Sequence, residues 1–451
     1  MKIQYSFFSM IFFLVLFIGI ESFTYQKDNL VEFTFNIIAL MSVINIIIIL
    51  RYQKISLSLL FWFFNLLFFY FIPIMQYHLK QFRFISGNID SYILEVNYMI
   101  LFWNLLYMIF YYIAYFQKVD NFKAIQLHIN NRIIKIVILI SIVIIFYMYK
   151  KFGLSFFFFR DNESTVHLGK ISFLFYNYFF KPLIFFISLI VLVQKKYQQK
   201  KYHTFFIVAI LFLALILNFP TGSARFYIFA LIVSLYVTVL MKPHAQSYIF
   251  IIYLVFGIFF SSFLDIFRRL SNFNFDFNFD FNYFFKGHFD AYENFILTVK
   301  YTVLHGLEYG HTFLSSVLFF VPRSIWPEKD IGSGAMIAKS YISKIYQIDN
   351  DNIANPFIAE WYLNFSFFGV ILGAILYGYF AGRIDKYFKL KTLNKSFEND
   401  ILLIFYGFFV GIYFFHLRGD FMSSYAYTIG SFVAYLVALK LMNIKIIKES
   451  K

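Results

Sequence analysis

Long runs of apolar residues recur along this chain, and they constrain its fold more than any other feature. They fall at residues 5–20, 31–50, 56–76, 98–116, 133–149, 171–193, 204–219, 226–241, 247–267, 365–381, 401–416 and 422–441. A helix needs roughly 17–25 apolar residues to cross the hydrocarbon core of a bilayer, and these runs are close to that length. The sequence therefore predicts an all-α, polytopic membrane protein with about 12 transmembrane helices.

The composition and the distribution of charge agree with a membrane protein. Of the 451 residues, 61% are hydrophobic and only 14% are charged, whereas soluble domains carry about 25% charged residues. If the amino terminus is placed in the cytoplasm, Lys and Arg concentrate in the short cytoplasmic loops, and Asp and Glu concentrate outside. The net charge of +15 is therefore a signal of topology and an attraction to anionic membrane lipid. The distribution of charge predicts that both termini lie in the cytoplasm. The net charge does not predict a nucleic-acid partner.

One connection between the predicted spans is far longer than the others, and it divides the chain into three parts. Residues 1–267 hold the first nine predicted helices, residues 268–364 form a large outer loop, and residues 365–451 hold the last three helices and a cytoplasmic tail. Within the loop, residues 288–305 have amphipathic helical periodicity, and residues 311–321 are apolar but too short to span. We expect a large outer loop built from short helices.

Five arginines at the predicted outer ends of the spans form the main candidate site: Arg225, Arg268, Arg269, Arg323 and Arg418. A guanidinium group binds phosphate oxygens through a planar fork of donors and keeps its charge at any physiological pH. Positive groups on the outer side also run against the usual orientation bias. The set predicts a site for a polyanionic headgroup, and interfacial anchoring is the alternative for each arginine taken alone.

Other ionisable groups give weaker signals. Lys181 lies inside a predicted span directly before Pro182, and reaching a phosphate or pairing with a freed carbonyl are both open to it. Glu360 and Asp420 lie at the predicted outer rim, where each could act as a general base or as a capping charge.

A metal site is not predicted. His305, Glu308 and His311 have a spacing that a metal could use, but glycines interrupt the helix between them. The chain contains no Cys, which excludes thiolate ligands, disulfides and a cysteine nucleophile. We expect no cofactor.

Two stretches of the chain resemble the Wzy-type O-antigen polymerases. The first reads Phe-Phe-Val-Pro-Arg-Ser-Ile-Trp-Pro-Glu-Lys at 319–329, and the second reads Pro-Phe-Ile-Ala-Glu-Trp-Tyr-Leu-Asn-Phe-Ser-Phe-Phe-Gly at 356–369. The Thr-Gly-Ser-Ala-Arg turn that ends at Arg225 is similar to the arginine-bearing outer turn of such proteins. One departure is that Asp330 follows Lys329, at a position where the family pattern has proline.

The resemblance implies a glycosyltransferase of the bacterial inner membrane. Its substrate would be an oligosaccharide linked to undecaprenyl diphosphate, and a chain-length regulator protein would be a candidate partner. The five arginines, with Lys181, Trp326 and Tyr362, would bind the diphosphate and the glycan. Arg323 and Glu360 would be the catalytic residues, with Glu360 as the base on the acceptor side.

Two other functions remain open, beside that of a purely structural or sensory membrane protein. An O-antigen ligase also has about twelve spans and a large outer loop, and it would use an outer histidine, for which His305 and His311 are available. A flippase or other transporter of lipid-linked glycans would need charges along a path through the membrane, and only Lys181 clearly meets that condition.

Overall fold

The structure is a computed structural model that describes most of the chain. It describes residues 30–126 except 54, 86 and 88, then 131–158, 169–197, 204–241, 249–257 except 253 and 256, 289–343 and 353–448. The predicted first span, most of the predicted ninth span, Arg268 and Arg269 lie outside the described residues.

Nearly all regular structure in the described residues is helical, as expected for a chain with this periodicity. The helices are α1 (Leu30–Tyr52), α2 (Leu57–Leu79), α3 (Asp90–Phe116), α4 (Asn131–Phe152), α5 (Ser155–Phe158), α6 (Ile171–Lys196), α7 (Thr204–Leu217), α8 (Arg225–Leu240), α9 (Ala291–His305), α10 (His311–Val317), α11 (Ser333–Ile337), α12 (Phe357–Leu393), α13 (Phe397–Arg418) and α14 (Phe421–Leu441).

Eight of the described helices are long and apolar enough to cross a membrane, namely α1–α4, α6 and α12–α14. Two further apolar helices, α7 and α8, are shorter. The prediction of a helical, multi-pass membrane protein is therefore confirmed. The count of about 12 spans and the orientation of the termini stay predictions.

One small sheet was not predicted. Strand β1 (Phe122–Gln126) pairs antiparallel with strand β2 (Ile444–Lys448), with Phe122 opposite Lys448 and Gln126 opposite Ile444. Both strands come from segments that the sequence places in polar connections and in the carboxyl-terminal tail. Their pairing is a contact between residues distant in sequence, which helical periodicity does not predict.

Two helices contain a π-helical turn close to a proline. Leu67–Phe71 precedes Pro73 in α2, and Phe175–Phe180 precedes Pro182 in α6. Proline has no N–H to donate and its ring crowds the carbonyl of the preceding turn, so a wider turn relieves the crowding. In α6 this turn leads directly to Lys181, which is buried.

The chain divides into two compact units. Unit 1 comprises residues 1–118, 277–386 and 413–425, and unit 2 comprises residues 119–276, 387–412 and 426–451. In unit 2, glycine permits close packing of helices: a Cβ on Gly411 would lie 2.5 Å from the Cα of Ala230, and one on Gly430 would lie 2.6 Å from the backbone oxygen of Tyr178. Small residues at such crossings let membrane helices approach closely.

Helix α9 lies in the interior of unit 1. Every residue from Ala291 to Val299 is buried, and exposed residues begin only at Val303. The hydroxyl of Tyr292 donates to Asn97 Oδ1 at 2.8 Å, and the Tyr292 ring lies 5.4 Å from that of Phe35. The sequence predicted an amphipathic helix here, but neighbouring helices cover its polar face as well.

Helix α12 is broken near its start. Phe365 (φ −139°, ψ 17°) and Ser366 (φ 54°, ψ −146°) have non-helical backbone angles, and Ser366 occupies a region that L-residues seldom adopt. The break falls where the predicted tenth span begins. It leaves residues 357–364 as a separate short helix that carries Glu360 and Asn364.

Candidate functional site

The Pro322–Lys329 motif in unit 1 forms a compact turn that Lys329 holds together. The ammonium group of Lys329 donates to three backbone carbonyls, those of Leu318 at 3.0 Å, Phe319 at 2.6 Å and Val321 at 2.9 Å. These carbonyls follow the end of α10, where a helix leaves acceptors without partners inside the helix. Because the side chain of Lys329 is turned inward and only 4% exposed, its role in the motif is structural.

Arg323 and Trp326 occupy the outer side of the same turn. The backbone N–H groups of Ile325 and Trp326 both donate to the carbonyl of Pro322, at 3.0 and 3.1 Å, which closes the turn. Arg323 is exposed and makes no hydrogen bond or ion pair with the residues that the structure describes, while Trp326 is half-buried. A guanidinium group on a fixed turn can therefore reach an anion brought to this surface.

A histidine and a carboxylate meet beside this turn. His311 Nδ1 lies 2.6 Å from Asp330 Oδ2, and the ring of Trp326 meets the His311 ring edge-on with centroids 5.8 Å apart. Ser315 positions the carboxylate: its hydroxyl lies 3.4 Å from Asp330 Oδ2 and accepts from the Asp330 N–H at 3.1 Å. The His311 side chain is 43% exposed and that of Asp330 is 19% exposed.

The start of α10, and with it His311, is fixed by Asn364. The Asn364 side chain is fully buried and accepts from the N–H of Gly310 at 3.0 Å. Its amide nitrogen donates to the hydroxyl of Thr312 at 2.7 Å and to the Glu360 carbonyl at 2.8 Å.

A backbone contact joins the same two segments: the N–H of Glu308 donates to the carbonyl of Leu363 at 3.0 Å. The residues before the α12 break therefore set the position of His311.

Glu360 is a buried junction between three segments of unit 1. Its Oε1 accepts from the hydroxyl of Ser333 at 2.5 Å and from the N–H of Phe421 at 2.9 Å, which joins α12 to the starts of α11 and α14. The Ser333 hydroxyl in turn accepts from Asn355 Nδ2 at 3.1 Å. With 3% of its surface exposed, Glu360 holds protein segments together and has little access to a sugar hydroxyl. Its predicted role as a base stays a prediction.

Asp420 reinforces the same junction. It is 6% exposed, and burial raises the pKa of its carboxyl, although hydrogen bonds from Ser423 partly oppose that shift. Gly332, which precedes Ser333, has φ +96°, and a Cβ added there would lie 2.7 Å from Asp420 Oδ2. Only glycine fits this approach, so residue 332 has to be small for α11 to begin here.

Arg418 forms a partly buried ion pair. Its Nη2 lies 2.9 Å from Asp290 Oδ1, and the two side chains are 9% and 15% exposed. The carboxylate of Asp290, just before α9, therefore already compensates the charge of Arg418. Removing one partner of such a pair is strongly destabilising because the other charge stays buried.

Unit 2 holds a second group of predicted site residues. Lys181 is 7% exposed, its Nζ lies 3.4 Å from Ser223 Oγ, and it lies 5.0 Å from the centre of the Tyr176 ring. Ser223 belongs to the turn that ends at Arg225, the first residue of α8. Gly222 in this turn approaches α5 so closely that a Cβ would lie 2.2 Å from the carbonyl oxygen of Phe157. Lys181 and the arginine-bearing turn are thus neighbours.

The structure places some of the predicted site residues in one turn and others among different neighbours. Arg323 and Trp326 share one turn, whereas Tyr362 packs edge-on against Phe295 of α9 with centroids 6.2 Å apart. Arg323 and Arg418 belong to unit 1, and Arg225 belongs to unit 2. Convergence of the five arginines on one headgroup stays a prediction.

The three residues with metal-like spacing have separate partners. His305 Nδ1 lies 3.2 Å from the Tyr301 carbonyl, Glu308 accepts from the Tyr301 hydroxyl at 3.3 Å, and His311 faces Asp330. Across the described part of the chain, no three His, Asp or Glu side chains group as a metal site would require.

Comparison with known proteins does not identify the function. No family model, no curated protein and no solved structure matches the chain. What the protein does must be inferred from the chemistry of its exposed and buried polar groups.

Several residues of the site cannot be recognised as functional from the sequence alone. Asp330, Ser315 and Asn364 are common polar residues in a loop or at a helix end, and their importance comes from the contacts that they make. A usable signal exists only for Asp330, which stands where the resembled motif has proline.

Proposed function

We propose that the protein is an O-antigen polymerase of the bacterial inner membrane. It would transfer the growing glycan from undecaprenyl diphosphate to a new lipid-linked repeat unit at the periplasmic face and release undecaprenyl diphosphate. This proposal includes about 12 spans, cytoplasmic termini and a large periplasmic loop that contains α9–α11. The partners would be the lipid-linked oligosaccharide, membrane lipid and a chain-length regulator.

The observation that carries the proposal is the fixed turn that presents Arg323 and Trp326. Lys329 satisfies the turn's carbonyls from inside, so the backbone position of Arg323 does not depend on a ligand. As the glycosidic bond breaks, negative charge grows on the leaving diphosphate, and a preorganised guanidinium group stabilises that state more than the ground state. The flat indole of Trp326 offers an apolar face to a sugar ring.

The cations of unit 2 are a second candidate group for binding a lipid diphosphate. Lys181 and Ser223 are in contact beside the turn that carries Arg225, which provides an ammonium group, a hydroxyl and a guanidinium group in one region. Phosphate oxygens accept from all three kinds of donor. Arg268 and Arg269 remain candidates from the sequence for the same role.

Replacement of Arg323 tests the proposal. In a strain that lacks the chromosomal gene, the wild-type chain should restore a ladder of long glycans on the surface lipid. Arg323→Ala should leave mostly the single repeat unit, because one lost transition-state contact costs about 3–4 kcal/mol, or roughly 10²–10³-fold in rate. Membrane-inserted protein is quantified by immunoblot in parallel.

A matched control is Arg383→Ala. Arg383 also belongs to unit 1 and is half-buried, and its Nη1 donates to the Lys118 carbonyl at 2.7 Å. It lies far from the motif in sequence and on the predicted cytoplasmic side. We expect this variant to give the wild-type ladder. A normal ladder from stably inserted Arg323→Ala protein would contradict the proposal.

A ligase is the second candidate, and one observation favours it. The side chain of His311 is exposed on the loop, as an acceptor-binding histidine of a ligase would be. Deletion separates the two enzymes: loss of a polymerase leaves one repeat unit on the surface lipid, whereas loss of a ligase removes all of the glycan. Labelled repeat-unit lipid trapped on the cytoplasmic face would instead indicate a transporter.

A further inference from the structure

We propose that His311, oriented by Asp330, takes the proton from the acceptor hydroxyl during glycosyl transfer. The inference rests on the proposed function and names the residue that activates the acceptor, a role that the sequence gave to Glu360. The dyad consists of an exposed imidazole and a carboxylate at 2.6 Å, beside the turn that carries Arg323.

The contact with Asp330 determines which nitrogen is available. Asp330 Oδ2 faces Nδ1 of His311, so the carboxylate accepts the proton carried by Nδ1. The lone pair of the neutral ring then lies on Nε2, which is the arrangement that a general base requires. The nearby carboxylate also stabilises the imidazolium that forms when Nε2 accepts a proton.

The surroundings of His311 limit its movement and leave it accessible. Asn364 accepts from the backbone N–H of Gly310 and donates to the side-chain hydroxyl of Thr312, on either side of His311. Trp326 meets the ring edge-on, and Ser315 holds the carboxylate from the next turn of α10. The His311 side chain is nevertheless 43% exposed. The dyad is therefore preorganised by the protein while its ring can still meet a substrate.

Glu360 differs from His311 in its exposure, which decides whether a general base can reach a substrate hydroxyl. Its side chain is 3% exposed, and its Oε1 already accepts from Ser333 and Phe421. A general base must come within hydrogen-bond reach of the proton that it removes. Of the two groups, only His311 presents a surface that a sugar hydroxyl can reach.

The proposed step balances in atoms and charge. The acceptor oxygen forms a bond to the anomeric carbon of the donor glycan while its proton moves to Nε2 of His311. The bond from the anomeric carbon to the diphosphate oxygen breaks, and its electron pair leaves with undecaprenyl diphosphate. The proton then passes from the imidazolium to solvent. Arg323 would stabilise the leaving group and His311 would serve the acceptor.

The experiment uses the purified full-length protein in detergent or nanodiscs, with lipid-linked repeat unit extracted from the deletion strain as the probe. We expect His311→Ala to lower the turnover rate by about 10²–10⁴-fold, with a smaller change in KM. Asp330→Asn should lower turnover less, because the histidine remains but its tautomer is no longer fixed. Added imidazole should restore part of the activity of His311→Ala.

His305→Ala is the matched control. His305 lies on the same loop and is also exposed, but its ring stacks on Tyr301 with centroids 4.4 Å apart and faces no carboxylate among the described residues. It should keep the wild-type rate. Thermal unfolding of each variant shows whether it is folded.

Separate outcomes overturn the inference and the proposed function. If the wild type polymerises and folded His311→Ala does so at a comparable rate, the inference is wrong and the polymerase proposal stands. If His311→Ala is folded but inactive and added imidazole does not restore activity, the inference is also wrong. The lost activity is then not explained by the loss of a general base. If the wild type itself makes no polymer from this lipid, the proposed function fails first.

Discussion

Charged side chains in unit 1 divide into those that hold the protein together and those that face outward. Lys329, Glu360 and Arg418 are each buried, and each links segments that are distant in the sequence or closes a turn. Arg323 and His311 are exposed on the same loop. The sequence identified Arg323, Arg418 and Glu360 as candidates because charge near a membrane is costly, and His311 as a possible metal ligand or ligase histidine. It could not separate buried from exposed groups or single out Lys329, since burial depends on the fold.

Glu360 gives the sharpest prediction for a single residue. Glu360→Gln keeps an oxygen that can accept from Ser333 and Phe421, so we expect normal folding and near-normal glycan ladders. Glu360→Ala leaves two buried donors without an acceptor and should lower the free energy of unfolding by about 2–4 kcal/mol. Thermal unfolding and ladder gels measure the two effects. If folded Glu360→Gln loses polymerisation, Glu360 is a base after all.

The ends of the helices, more than their apolar middles, carry the specific contacts of this fold. Asp385 accepts from the N–H groups of Leu57 at 2.8 Å and Ser58 at 3.1 Å, which satisfies two donors at the start of α2. Asn364 accepts from one such donor, the N–H of Gly310, at the start of α10. Hydropathy predicts where an apolar helix runs, but side chains from other parts of the chain determine where it begins.

The anchoring of α9 should depend on pH. Glu293 is 1% exposed and accepts from the Phe84 N–H in the loop after α2. Burial raises the pKa of its carboxyl to about 7, although the backbone hydrogen bonds from Phe84 and Arg83 oppose the shift. The folded protein therefore binds this proton more tightly than the unfolded chain does. Stability should fall as the pH rises from about 4.5 to beyond 7, by about 3 kcal/mol in total, and then level off.

Thermal unfolding of the purified protein between pH 5 and 8.5 checks this expectation. Glu293→Gln keeps an acceptor for the Phe84 N–H and cannot ionise, so it should lose this part of the pH dependence and gain stability relative to wild type above pH 7. Glu328→Gln, at an exposed position of the same loop, should follow the wild-type curve. A wild-type slope that persists in Glu293→Gln would assign the dependence to another group.

At the scale of the whole molecule, the proposed function requires the Arg323 turn to face the periplasm. The structure confirms a helical, multi-pass chain, and the distribution of Lys and Arg predicts its orientation. The two features are independent, because helix formation in a membrane follows from apolar length whereas orientation follows from the charge of the loops.

Cysteine labelling tests this orientation directly, because the chain contains no native Cys. Ser324→Cys places a thiol at an exposed position of the motif turn, and Asn394→Cys places one at an exposed position between α12 and α13. In cells with a permeabilised outer membrane, a maleimide that cannot cross the inner membrane should label Ser324→Cys only. Asn394→Cys should react after lysis. The reverse pattern would exclude a periplasmic active site.

The sequence by itself determined that this chain is a multi-pass helical membrane protein, because an apolar helix in lipid must satisfy its own backbone and needs a minimum length to do so. It also identified Arg323, Glu360 and Lys181 as candidates, because burying a charge in or near hydrocarbon is costly, and His311 as a possible metal ligand or ligase histidine. Only the tertiary structure decided that Glu360 and Lys329 are buried and hold protein segments together. It also decided that Asp290 compensates the charge of Arg418 and that Asp330 orients His311. Those roles depend on which distant residues become neighbours, and no local pattern of residues contains that information.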